Sequence, residues 1–200
     1  FPVSVLLTGV EYGVPNGIVL EDACGFALLL EKAGVDAIQV RGYGYRRYEF
    51  IHPGPEQLVY PEPIDPLPAE LDWSKDGAGA FVPLAEAFKK ILSVPVITVG
   101  RLNPDMGEAV LKAGKADIIA MNRRLLADPE LPLKVADGRL DDIAPCTGCL
   151  YCWSRRRQNL TIKCRINARL GRERELIPTL VEHPRKILVV GSGPSGMEAA

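Results

Sequence analysis

Twice along this chain an apolar segment, a helical period and a Lys-Ala-Gly stop recur in the same order, and that repeat restricts the fold more than any other feature. Pro2 to Thr8 is a short apolar run ended by Gly9, and it reads as a strand buried on both faces, as in a parallel sheet. From Glu21 to Ala33, the residues Ala23, Phe26, Ala27, Leu30 and Ala33 recur at helical spacing. Glu21 and Asp22 suit the first turn of that helix, and Gly34 stops it. Asp36 to Val40 is then a second strand. The same grammar returns in Pro95 to Val99 as a strand, Asn103 as a helix cap, Pro104 in the first turn, Gly114 at the end, and Asp117 to Met121 as a strand. Pro2-Val3 matches Pro95-Val96, and Lys32-Ala33-Gly34 matches Lys112-Ala113-Gly114. Between the copies, Phe81 to Leu92 predicts a helix with Leu84, Phe88 and Ile91 on one face. Strands alternating with helices pair in parallel through right-handed crossovers, so the expected class is α/β. The repeat favours a barrel, with an open doubly wound sheet as the alternative.

Downstream the grammar changes. Cys146, Cys149 and Cys152 fall on one short turn, and Cys164 follows from a separate loop. Three thiolates on a turn and a fourth from further away suit an iron-sulfur cubane. Structural zinc more often uses two Cys or Cys/His pairs on separate knuckles, and it is the alternative here. Cys24 lies in the first predicted helix among alanine and phenylalanine and is expected to be a core residue.

With 200 residues and 47% hydrophobic content, the chain can bury a real core. A formal net charge of -1 gives no electrostatic reason to expect nucleic acid or an acidic membrane surface as partner. No apolar stretch approaches the roughly 18 residues a membrane span needs. The start has no basic segment of a signal peptide, and the cysteines are clustered rather than spread as disulfides. A cytoplasmic protein acting on a small molecule is expected, without nucleic acid or membrane; a homo-oligomer is compatible with this. Phe1 at the start and an unfinished glycine motif at the end point to a piece of a larger protein.

Three further segments carry expectations about sites. Residues 41 to 80 form a long excursion rich in proline and tyrosine, which would lie on the catalytic face of a barrel or pack as a surface insertion. Lys186 to Val190 predicts a strand running into Gly191-Ser192-Gly193-Pro194-Ser195-Gly196, the dinucleotide fingerprint. There Gly191 permits the tight turn, Gly193 the approach of a pyrophosphate, and Gly196 close packing of helix on strand. Gly100-Arg101 and Asn122-Arg123 end the last two strands, where barrels bind phosphate; surface salt bridges are the plainer role for both arginines. His52 and His183 have no partners at catalytic spacing. Arg155-Arg156-Arg157 is a solvated run that also stands near enough in sequence to offset charge at Cys152.

In order, Ala33-Gly34-Val35-Asp36-Ala37-Ile38, Val99-Gly100-Arg101, Ala120-Met121-Asn122-Arg123, Leu126-Ala127-Asp128-Pro129, the cysteine loop and the fingerprint resemble the iron-sulfur branch of the old yellow enzyme family. Bacterial 2,4-dienoyl-CoA reductase and trimethylamine dehydrogenase represent that branch. The resemblance implies that residues 1–136 are the C-terminal half of an FMN-binding (β/α)8 TIM barrel. It implies that residues 137–183 are an iron-sulfur loop and linker, and that residues 184–200 begin a Rossmann-like FAD/NAD-binding domain with its first strand, turn and helix. It assigns a 4Fe-4S cluster to Cys146, Cys149, Cys152 and Cys164, FMN to Gly100, Arg101, Asn122 and Arg123, and FAD or ADP to Gly191, Gly193 and Gly196. The implied path runs from NAD(P)H to FAD, to the cluster, to FMN, and finally to an activated alkene such as an enoyl-CoA. Amine dehydrogenation is the alternative within the family, and a zinc-knuckle binding module is the alternative outside it. Two departures bear on the chemistry. Leu6 stands where relatives often place an arginine near the flavin, and Tyr43-Gly44-Tyr45-Arg46 stands where a proton-relay histidine is expected. Tyr43, Tyr45 and Arg46 are therefore the candidate catalytic residues, and the segment alone is expected to be inactive.

Overall fold

A computed structural model describes residues 1–12, 14–44 and 79–177, together with 182–183, 186–191 and 193. Four strands, β1 (Ser4–Tyr12), β2 (Ala37–Gly44), β3 (Val96–Val99) and β4 (Ile118–Ala120), form one parallel sheet in the order β1-β2-β3-β4. That order runs in one direction, without the reversal that defines a doubly wound sheet. Helices α1 (Leu20–Lys32), α2 (Val82–Lys89) and α3 (Pro104–Lys112) pack on the sheet. Ile38, Val40 and Val96 alternate along β2 and β3 into a core with Ala23 and Ala27 of α1 and Leu84 and Phe88 of α2.

The repeat seen in the sequence is a repeat of hydrogen bonds. Gly34 and Gly114 adopt left-handed backbone, with φ of +92° and +66°. The amide after each reaches back over the last helical turn, Val35 N–H to Leu30 O at 3.2 Å and Lys115 N–H to Val110 O at 3.1 Å. Asp36 Oδ2 then accepts from Val3 N–H at 2.6 Å, and Asp117 Oδ2 from Val96 N–H at 2.8 Å. In each copy an aspartate entering one strand therefore caps the start of its neighbour. Asn103 caps α3 as expected, accepting from Met106 N–H at 2.7 Å.

Two expectations need correction. Among the described residues β1 is the edge of the sheet and one of its faces is uncovered, with Leu6 52% exposed. The register sets Leu6 beside Gln39, Gln39 beside Ile97 and Ile97 beside Ile118, on the face opposite the Ile38 and Val40 side chains. Lys186 to Val190 form no strand among the described residues, and Leu188 and Val190 are 87% and 88% exposed. A parallel strand needs a partner ladder, and none of the four strands pairs with this segment.

After β4 come two short helices, α4 (Arg123–Ala127) and α5 (Leu131–Ala136), then a 3-10 turn at Leu140–Asp142 and a last helix, α6 (Tyr151–Arg157). No helix among the described residues is long and apolar enough to cross a membrane.

Candidate metal centre

The cysteine turn is built by two residues with left-handed backbone. Gly148 has φ +69° and Leu150 φ +53°, so the chain reverses on either side of Cys149. Leu150 is not a residue that favours this conformation, but its side chain is buried, which helps to offset the backbone cost. Its carbonyl accepts from Ser154 N–H at 2.8 Å and opens α6, placing Cys152 in the first turn. The chain leaves α6 through Asn159 at φ +55° and is drawn back by Arg155 Nε, which donates to Thr161 O at 2.6 Å. That return delivers Cys164. The four cysteines, each half-buried, line one pocket with Leu126, Leu150 and Ile166 as apolar wall and Arg123 and Arg165 as cations.

This donor set is four sulfurs with no carboxylate or imidazole among the lining residues, which suits iron-sulfur or zinc chemistry. Among the described residues no three His, Cys, Asp or Glu side chains close on a single point as ligands of one ion do. What the thiols share is a wall. Burial pushes the Cys152 thiol up; the Trp153 amide and the Arg123 guanidinium pull it back, and Cys146 and Cys164 oppose them.

Two clamps hold the loop against α4. Asp128, just past α4, accepts from Ala144 N–H through Oδ2 at 2.9 Å and from Glu130 N–H through Oδ1 at 3.0 Å, and pairs with Lys134 Nζ at 2.7 Å. Lys134 also donates to Asp142 O at 2.9 Å. Burial opposes ionisation of Asp128, but Lys134 and the two amides outweigh it and hold the carboxyl below the usual range. On the far side of the loop, Asn167 Nδ2 donates to Leu126 O at 3.0 Å. Asp128, Lys134 and Asn167 were not singled out as site residues from the sequence. The Asp128–Lys134 pair spans a break between two helices, so no helical spacing reveals it.

The other expected site residues are placed as follows. Val99 and Ala120 pair in register, so Gly100-Arg101 and Asn122-Arg123 leave neighbouring strands at the same end of the sheet. Gly100 has φ +132°, accepts from Gly79 N–H at 2.6 Å and lies against Phe81, where a β-carbon would approach the ring to 3.3 Å. Asn122 is exposed, and Arg123 turns its charge to the cysteine pocket. Arg155 and Arg157 do not line that pocket: Arg155 lies 5.8 Å from the Tyr151 ring centre and Arg157 4.9 Å from that of Trp153. The cations at the thiols are Arg123 and Arg165. Tyr43, next to last in β2, is in register with Glu11 of β1, while Tyr45, Arg46 and Gly196 lie outside the described residues, as does His52. Gly191 has φ +118°, which suits the turn expected there, and His183 is exposed. Cys24 packs against the core of α1 and α2, as expected.

Residues 73–142 match the NADH:flavin oxidoreductase / NADH oxidase family. Across its whole length the chain is 37% identical to a metal reductase of Desulforamulus reducens and 35% identical to an NADH oxidase of Thermoanaerobacter brockii, covering 27% and 28% of those proteins. It is also 39% identical to a dimethylamine dehydrogenase of Hyphomicrobium, over 64% of this chain and 19% of that one. Among solved structures, a 2-naphthoyl-CoA reductase in complex with 2-naphthoyl-CoA superposes with a TM-score of 0.77 at 29% identity, over 100% of this chain and 28% of that one. The chain thus spans about a quarter of the length of the full-length matches. Through residues 73–142 the chain carries the sequence of the NADH:flavin oxidoreductase / NADH oxidase family, and its parallel sheet agrees with the fold of the superposed reductase.

Proposed function

We propose that this chain is the flavin-to-cluster segment of an NAD(P)H-dependent oxidoreductase that reduces activated alkenes such as enoyl-CoA thioesters. The observation that carries the proposal is the convergence of Cys146, Cys149, Cys152 and Cys164 on one pocket, with Arg123 from the end of β4 in its wall. Each thiolate would hold one corner of a 4Fe-4S cluster. Bound there, the cluster supplies one-electron transfer between a two-electron donor and a flavin. Gly100, Arg101, Asn122 and Arg123 would hold the FMN phosphate at the strand ends, and Gly191, Gly193 and Gly196 would begin an FAD site. The uncovered row of Leu6, Gln39, Ile97 and Ile118 would face the interior of a (β/α)8 barrel, since a parallel sheet requires cover on both faces. The proposed divisions are 1–136 for the half-barrel, 137–183 for the cluster loop and linker, and 184–200 for the start of the nucleotide domain.

The alkene reading draws support from the relative named for reduction of 2-naphthoyl-CoA. The similarity to a dimethylamine dehydrogenase favours amine oxidation as the second reading. Anaerobic purification of the whole protein should give a brown product with about four irons per chain and matching acid-labile sulfide. It should also oxidise NADH or NADPH when an enoyl thioester is added. Colourless protein holding zinc overturns the cluster; flavin bleaching by a methylamine without any nicotinamide reaction overturns the alkene reading in favour of the second.

A further inference from the structure

We infer that Arg123 and Arg165 set the reduction potential of the cluster, with Arg123 the stronger of the two, and so act as positioning charges for electron entry. This rests on the iron-sulfur reading above. Both side chains line the pocket of the four cysteines. Neither forms a salt bridge with a carboxylate among the described residues. Arg165 also lies 5.2 Å from the centre of the Tyr151 ring, which holds it beside the cysteine turn.

Four thiolates leave a bound cluster with excess negative charge, and reduction adds one electron with no proton to neutralise it. A fixed cation at the wall favours the reduced form and raises the potential. Exposure ranks the two: Arg123 is half-buried, whereas Arg165 is exposed and more strongly screened by water. Arg123 also follows Asn122 just past β4, so a residue at the strand end proposed for the flavin phosphate lines the cysteine pocket as well. The basic run on α6 has no such role, because Arg155 and Arg157 stack on Tyr151 and Trp153 instead.

The test is a dithionite titration of the whole protein, followed by electron paramagnetic resonance of the reduced cluster, in wild type and in Arg123→Gln, Arg123→Lys, Arg165→Gln and Arg157→Gln. At fixed poise, Arg123→Gln should lower the reduced-to-oxidised ratio at least about tenfold, ~59 mV for a one-electron couple. Arg165→Gln should lower it less, Arg123→Lys should restore most of the loss, and Arg157→Gln should change it little. Iron and sulfide content should match wild type throughout. A shift below about twofold in both Arg123→Gln and Arg165→Gln overturns the inference, as does an equal shift in Arg157→Gln, which would reduce the effect to net charge. Loss of iron in Arg123→Gln together with an unshifted Arg165→Gln also overturns it, because Arg123 would then be holding the loop. Wild-type protein without iron sinks the cluster reading itself, a result separate from any of these.

Discussion

Asp128 is 3% exposed and still ionised, because three donors converge on its carboxylate. Replacing it with asparagine leaves Lys134, itself mostly buried, facing an uncharged group, and should cost about 3 kcal/mol of stability. Its lowered pKa fixes the sign of the pH effect. The folded state prefers the carboxylate more than the unfolded chain does, so this contribution is complete above the ordinary carboxylate pKa and is lost as pH falls through the lowered value. Thermal melts at stepped pH should show a steep acid limb in wild type and a flatter one in Asp128→Asn. Among the cysteines, Cys149 sits between the two left-handed residues, Gly148 and Leu150, and lines the pocket with the other three. Cys149→Ala should therefore lose most of the bound iron by colorimetric assay, whereas Cys24→Ala, in the helical core, should keep it.

At the scale of elements, the turns from α1 to β2 and from α3 to β4 each hold a glycine with left-handed backbone and no atom within 4 Å of where a β-carbon would stand. Gly34→Ala and Gly114→Ala thus isolate backbone strain from packing, and each should lose about 1 kcal/mol in denaturant melts. Unequal losses would mean that the two copies differ in more than sequence. Gly9 contrasts with both, since a β-carbon there would meet Val40 Cγ2 at 2.9 Å, beside the register shift between Thr8 and Val10. These turns were legible in the sequence because Lys-Ala-Gly and Asn103-Pro104 act locally. The position of β1 at the edge of the described sheet was not, because an apolar strand reads the same at an edge as in the middle. The cysteine turn was legible from spacing alone. The identity of its cations was not: three consecutive arginines draw the eye, yet helix direction sends them elsewhere, while Arg123 arrives from a segment more than twenty residues upstream.

For the whole molecule, the cysteine loop is fastened to the sheet domain at both ends through α4 and the residue beyond it. Neither clamp uses a sulfur atom. Asn167→Ala should raise amide hydrogen exchange across residues 160–167 while leaving the far-ultraviolet circular dichroism of the sheet and helices unchanged. Removing metal with a chelator should leave the melting of the sheet within a few degrees of its starting value, because its core of Ile38, Val40, Leu84 and Phe88 is remote from the thiols. The clamp formed by Asp128 and Ala144 closes a span of 16 residues, and the strand caps at Asp36 and Asp117 close spans of 33 and 21. The entropy cost of closing spans of that length grows only slowly with length. A loop docked by nitrogen and oxygen contacts alone would leave the filling of the thiol pocket as a step separate from folding, so that metal supply would govern when the site is occupied and not whether the chain folds.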